Sequence, residues 1–277
     1  VCSSDLLAAW KLGAIPVPMN PMYRGGELGK LFVDCTPSAI FCYGEDADMI
    51  ADLASQAIGD VRLIQCDSRN YQTADDERVL PPLANAPSGH TRFADARDEA
   101  AGKDLAVIQP SGDDLGLILY TSGTTGKPKG AMARHRALAS NGFALGQWCG
   151  IGPDSRILGI APLFHITGLV CHVVAAFAAG ASMVLNYRFE AASILDSIRA
   201  TRPTFTIGAI TAFNALMNAP GVSKEDFASF DCIYSGGAPI PPSLRAQFLE
   251  RTGQLIHTSY GMTGTAAPTH LCPRDRK

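Results

Sequence analysis

The chain has 277 residues, is 47% hydrophobic and 18% charged, and carries a formal net charge of −3. That supplies a sizeable core and room for more than one subdomain, while the near-balanced charge argues against a nucleic-acid binder or a polybasic membrane anchor. Its eight cysteines are scattered with no C-x-x-C pair, which points to free buried thiols in a reducing cytosol rather than a zinc set or a disulfide framework.

In chain order, Ala8 to Gly13 forms the end of a helix and Ala39 to Tyr43 a strand. Ala47 to Ile58 is helical and Val61 to Cys66 extended. From Asp67 to Asp114 the chain is polar and rich in Pro, Gly, Asn and Asp, the composition of a surface connector. Leu117 to Tyr120 is a buried strand, and a helix follows from about Arg134 to Trp148. The longest apolar run, Gly168 to Leu185, is near the length of a membrane span. His172 interrupts it and Gly180-Ala181-Ser182 breaks it. It therefore predicts a buried helix to Ala179, a Gly180 cap and a strand from Ser182 to Leu185, with no transmembrane segment. Further on, Glu190–Thr201 is helical, Thr204–Ile207 extended and Thr211–Asn218 helical. Phe230–Tyr234 is a short strand, and Pro241-Pro242 starts a helix to Thr252. Alternation of this kind predicts an α/β protein with largely parallel sheets. The first residues show no basic region followed by an apolar one, so no signal peptide is expected.

The strand at Leu117 feeds directly into Thr121, Ser122, Gly123, Thr124, Thr125, Gly126, Lys127, Pro128, Lys129 and Gly130. Glycines let successive backbone N–H groups converge on an anion, hydroxyls add neutral donors, and lysines add mobile positive charge. The combination suits a polyphosphate. It is not the P-loop of the common NTPases: two residues rather than four separate Gly123 from Gly126, and Pro128 rather than Ser or Thr follows Lys127.

This loop resembles the signature of the adenylate-forming superfamily, which includes acyl-CoA synthetases, luciferases and peptide-synthetase adenylation domains. Three further stretches resemble that family in its order. Ala161-Pro162-Leu163-Phe164-His165-Ile166-Thr167-Gly168 is similar to the aromatic/histidine motif beside the acyl site. Ser235-Gly236-Gly237-Ala238-Pro239 is similar to the turn against adenine. Tyr260-Gly261-Met262-Thr263 is similar to the segment that stacks on adenine and reaches the α-phosphate. Lys11-Leu12-Gly13-Ala14 and Pro18-Met19-Asn20-Pro21 match its early helix and loop. The cast is most like bacterial fatty acyl-CoA ligases.

The resemblance implies a fold of stacked α/β subdomains with mostly parallel sheets, the large N-terminal domain of such an enzyme. It implies activation of a carboxylic acid, here a fatty acid, by ATP to acyl-AMP and pyrophosphate, then transfer to coenzyme A, in the cytoplasm and with magnesium. A homodimer is compatible with it. Thr121 to Lys129 hold the β,γ-phosphates. Gly237, Ala238 and Pro239 frame the base, and Tyr260, Gly261, Met262 and Thr263 contact adenine and the α-phosphate. His165, Thr263 and Lys129 are the catalytic candidates. Thr204 to Met217 matches the acyl-pocket wall, giving Ile207, Gly208, Ala209, Ile210 and Phe213 as lining residues, with no charge to pair with an amino acid. His172 is structural, lacking partner ligands for a metal, and His135 is open to a surface reading.

The pattern is expected to cover residues 7–274 and to be truncated at both ends, with the ribose-binding aspartate and the small C-terminal domain beyond Lys277. Residues 1–6 and 275–277 look like translated sequencing-adapter DNA and are set aside. One departure stands out: the family places a magnesium-binding glutamate after the threonine of Tyr-Gly-x-Thr, and here that position is Gly264. Two alternatives follow, an adenylation domain that loads a carrier protein and a catalytically weak nucleotide- or acyl-binding paralogue.

Overall fold

The structure is a computed structural model and describes residues 3–70, 72–80, 89–121 and 129–275. Helices α1 (Ser3–Lys11) and α2 (Gly25–Cys35) precede strand β1 (Ala39–Tyr43), α3 (Ala47–Ile58), β2 (Arg62–Cys66), β3 (Thr91–Arg92) and α4 (Phe93–Ala100). The hairpin β4 (Leu115–Thr121) and β5 (Lys129–Arg134) leads into α5 (His135–Cys149) and β6 (Arg156–Gly159). A π-helical stretch, Thr167–Val174, runs without a break into α6 (Ala175–Ala179), then β7 (Ser182–Leu185) and α7 (Ala191–Thr201). The rest is β8 (Phe205–Gly208), α8 (Ile210–Met217), α9 (Lys224–Phe227), β9 (Cys232–Ser235), α10 (Pro242–Thr252), β10 (Ile256–Met262), a 3-10 turn Thr263–Thr265 and β11 (Ala267–Leu271).

Three sheets result. β1, β2 and β3 form a small parallel sheet, and β4 and β5 an antiparallel pair. The principal sheet has the order β11-β10-β9-β8-β6-β7, parallel throughout except at β11. Both of its faces are covered. Ile157, Phe205, Ile207, Cys232 and Tyr234 face one apolar cluster with β4, α5 and the π-helical stretch. Leu158, Ile233 and Ile256 alternate onto the other, with Ile194, Phe213, Leu216 and Phe248 from α7, α8 and α10. Period-two alternation onto two buried faces explains why the central strands β8 and β9 are buried along their whole length.

Local chemistry sets the helix ends. The Glu190 carboxylate accepts from the backbone N–H groups of Ala192 and Ser193 at 3.1 and 2.7 Å, capping α7. Pro242 opens α10 where no N–H is required. Gly180 takes a left-handed conformation after α6, as the sequence predicts.

Some expectations change. The connector from Asp67 to Asp114 contains β3 and α4, so it is partly ordered secondary structure. Leu6, set aside on sequence grounds, is buried in the core with Leu117 and Leu145. His135 is half-buried, its ring edge-on to Trp10 and lying against Gly116. Cys149, Cys171 and Cys232 are buried free thiols, but Cys35, Cys42, Cys66 and Cys272 are only half-buried.

Candidate active site

Four of the sequence motifs leave the principal sheet at the same end. β6 ends at Gly159 and leads into Ala161–His165. Its neighbour β8 ends at Gly208 before Ala209 and Ile210. Next, β9 ends at Ser235 before Gly236–Pro239, and β10 carries Tyr260–Met262 and then Thr263. These strands are adjacent and parallel, so all four motifs lie at their carboxyl ends, where ligands of parallel α/β sheets bind.

Direct contacts join the motifs. Gly236 N–H donates to the Gly208 carbonyl at 3.4 Å. A Cβ on Gly236 would lie 2.3 Å from Ser259 Oγ and 2.7 Å from its carbonyl oxygen, so only glycine permits this approach to β10. Gly237 has φ +82° and open space where a Cβ would stand. Gly237, Ala238 and Pro239 are exposed. Tyr260 is 58% exposed, 6.0 Å centroid-to-centroid from the His270 ring, on the part of β10 that runs past β9 and pairs with β11. A flat base would find its ring face accessible. Gly261 and Met262 are also exposed, and Thr263 is half-buried at the head of the 3-10 turn.

His165 sits in the turn before the π-helical stretch, and solvent reaches its ring. Its Nδ1 accepts from Thr167 N–H at 3.2 Å. The neutral ring therefore carries its proton on Nε2, free to donate. Partial desolvation lowers its pKa, an effect moderated by that solvent access. His172, on the same stretch, is fully buried with its Nε2 3.0 Å from the Ile207 carbonyl. That contact ties the histidine motif to β8 and agrees with a structural role. Burial pushes the His172 pKa down to about 4.

The acyl-wall expectation is narrowed. Of the five residues named, only Ala209 is exposed. Ile207 and Phe213 are buried in clusters on opposite faces of the sheet, and Phe213 lies edge-on to Phe248 at 5.7 Å. Gly208 and Ile210 are buried as well. These four form backing rather than surface.

The phosphate loop springs from the β4–β5 hairpin. Thr121 pairs with Lys129 across it, with Thr121 Oγ1 3.5 Å from the Lys129 carbonyl, and Lys129 is exposed. Ser122, Gly123, Thr124, Thr125, Gly126, Lys127 and Pro128 lie outside the described residues. β5 packs against the 3-10 turn at Thr263, which brings the phosphate-loop hairpin beside the adenine segment.

The matching family model, AMP-binding enzyme, covers residues 6–277. The chain belongs to the AMP-binding enzyme family. Among relatives of this AMP-binding chain is the indoleacetate–CoA ligase of Aromatoleum aromaticum, 32% identical over 95% of the chain and 48% of that protein. A long-chain-fatty-acid–CoA ligase of Bacillus subtilis is 27% identical over 93% and 48%. The ATP-bound crystal structure of MatB from Rhodopseudomonas palustris superposes with a TM-score of 0.79 and 29% identity, covering 98% of this chain and 49% of that one. The chain thus spans about half the length of the curated relatives it matches.

The magnesium that the family implies finds no carboxylate at the expected place in this AMP-binding chain. Gly264 is exposed with nothing within 4 Å of a Cβ built there. Among the described residues, no three His, Cys, Asp or Glu side chains converge as a metal set. Also among them, no helix is long and apolar enough to cross a membrane. One site residue escapes sequence reasoning altogether: Asn141 of α5, whose amide reaches the turn after Thr263.

Proposed function

We propose that this chain is the nucleotide- and acid-handling part of an ATP-dependent acid–CoA ligase. The observation that supports this best is the convergence of the histidine, acyl-wall and two adenine motifs at the carboxyl ends of β6, β8, β9 and β10, beside the phosphate-loop hairpin.

A carboxylate acylates poorly because its leaving group would be oxide. In the proposed reaction a carboxylate oxygen attacks the α-phosphorus of ATP. The bond from that phosphorus to the oxygen bridging to the β-phosphate breaks, giving acyl-AMP and pyrophosphate. Tyr260 stacks on adenine while Gly237, Ala238 and Pro239 frame its edge. The Thr263 hydroxyl donates to an α-phosphate oxygen, and the Nε2–H of His165 orients the attacking carboxylate. Lys129 and the loop before it balance charge on the departing pyrophosphate. Positioning and preorganised donors do most of this work. The thiol of coenzyme A then attacks the acyl carbon, the bond from that carbon to the AMP oxygen breaks, and AMP and the thiol proton are released, in the cytoplasm.

The acid we propose has an uncharged tail, since the residues that the stretch from Thr204 to Met217 exposes, Ala209, Thr211 and Asn214, carry no charge. A fatty acid is the first choice. An aryl acid is the second, favoured by the relative named for indoleacetate. The test is acid-dependent release of pyrophosphate from ATP, with fatty and aryl acids in parallel. Release that depends on one class supports the reading and selects the acid. ATP binding without release for any acid would refute it in favour of a nucleotide-binding paralogue.

A further inference from the structure

We propose that Asn141 is a positioning residue for the nucleotide, acting through the turn that carries Thr263. This rests on the ligase reading above. Asn141 lies on α5, directly after the phosphate-loop hairpin. Its Nδ2 donates to two consecutive backbone carbonyls, Thr265 at 3.0 Å and Ala266 at 2.9 Å. A carboxamide has two N–H protons, and here both go to one turn more than a hundred residues away.

That turn needs holding. Ala266 has φ 57° and Ala267 φ 93°, backbone positions that a residue with a Cβ adopts only under constraint. The constraint is visible from two sides. From within, Thr265 Oγ1 accepts from Met262 N–H at 3.1 Å, and the same hydroxyl lies 2.9 Å from the Met262 carbonyl and 3.1 Å from the Ala267 carbonyl. From outside, Asn141 supplies the only side-chain amide on the turn among the described residues. The clamped segment begins at Thr263 and faces β5. Helix α5 thereby ties the turn at Thr263 to the β4–β5 hairpin that it follows. Asn141 touches no reacting atom in this scheme.

Asn141→Ala removes the clamp. Asn141→Asp keeps the shape but replaces the donors with a carboxylate facing two carbonyls. Both variants and the wild-type chain are compared for ATP affinity by titration calorimetry, for backbone hydrogen exchange across 262–267, and for urea unfolding. Loss of two neutral hydrogen bonds is expected to weaken ATP by about tenfold and to speed exchange at Met262 and Ala266, with affinity for the acid unchanged. A lower urea midpoint with unaltered ATP affinity in both variants would show a merely structural residue and overturn the assignment while leaving the ligase reading intact. Absence of ATP binding by the wild-type chain would overturn both.

Discussion

His172 makes the stability of this domain depend on pH in a way that one substitution isolates. Its ring is fully buried, its Nε2 is held by the Ile207 carbonyl, and its Nδ1 has no hydrogen-bond partner. A second proton on Nδ1 would be a buried charge with nothing to receive it, and the pKa falls from 6.5 to about 4. The unfolded chain takes up a proton as pH drops through 6.5, whereas the folded chain resists until about 4. The stability contributed is therefore complete above 6.5 and is lost progressively below it. Between pH 8 and pH 5 this one group should cost roughly 2 kcal/mol, from a shift of about 2.5 pH units at 1.36 kcal/mol each, most but not all of which is expressed by pH 5. His172→Gln keeps an amide donor for the Ile207 carbonyl and removes the titration. Urea unfolding of both proteins at pH 8 and pH 5, with equal m-values, gives the comparison. Whatever the variant loses at pH 8, its further loss at pH 5 should be about 2 kcal/mol smaller than the wild type's. Equal losses would mean that the ring is hydrated or already partnered, and the burial argument would fail.

Three further outcomes are expected. Gly168→Ala places a Cβ 2.2 Å from the Pro162 carbonyl oxygen and 2.6 Å from that of Ala161. It should therefore destabilise by about 1–3 kcal/mol or more, and an unchanged urea midpoint would contradict the packing described. Tyr260→Ala, at a 58% exposed position, should move stability by no more than about 0.5 kcal/mol yet weaken ATP about tenfold through lost stacking; retained affinity would remove Tyr260 from the adenine site. For Gly264→Glu, the new Cβ meets no atom within 4 Å at an exposed position, and the variant should fold normally. It should also raise the pyrophosphate-forming rate at limiting magnesium, and no gain there would show that the position is not where a metal acts.

Of the principal sheet, β7, β8 and β9 were legible, while β6, β10 and β11 were not named from the sequence. Phe205–Gly208, Cys232–Ser235 and Ser182–Leu185 are apolar runs closed by small or polar residues, and their extents differ from expectation by only a residue or two. Helix α2 was not legible. Gly25-Gly26-Glu27-Leu28-Gly29 has poor helix propensity, and burial of Leu28, Leu31 and Phe32 overrides it. Helix α4 was hidden for the opposite reason: it buries none of its residues, so its composition is that of a connector. Within the candidate site, Tyr260, Gly237 and His165 of the motifs are exposed. The motifs could not separate lining from backing at Ile207 and Phe213, because an apolar residue beside a pocket and one beneath it look alike in sequence. Asn141 had no signal: its partners are backbone carbonyls 124 and 125 positions away, and carbonyls have no side-chain identity to read.

The order β10-β9-β8-β6 matters more to the chemistry than the identity of any one helix around it. The motifs from His165 to Tyr260 share one end of the sheet because β6, β8, β9 and β10 run parallel side by side, with their connections returning across the covered faces. An insertion in α9 or in the loop between α8 and α9 would leave that arrangement unchanged. A one-residue slip of β10 against β9 would not: the pairs Ile256 with Ile233 and Thr258 with Ser235 would break, and alternate side chains would exchange faces. Ile256 would leave the core, and Ser259 would lose its place against Gly236. The slip is opposed at both ends of the strand. Ile256 is fully buried, and Gly261 presses so closely on β11 that a Cβ would stand 2.6 Å from the Ala267 carbonyl oxygen. Register is thus fixed by core packing at one end and by a glycine contact at the other, and Tyr260 lies on the segment between.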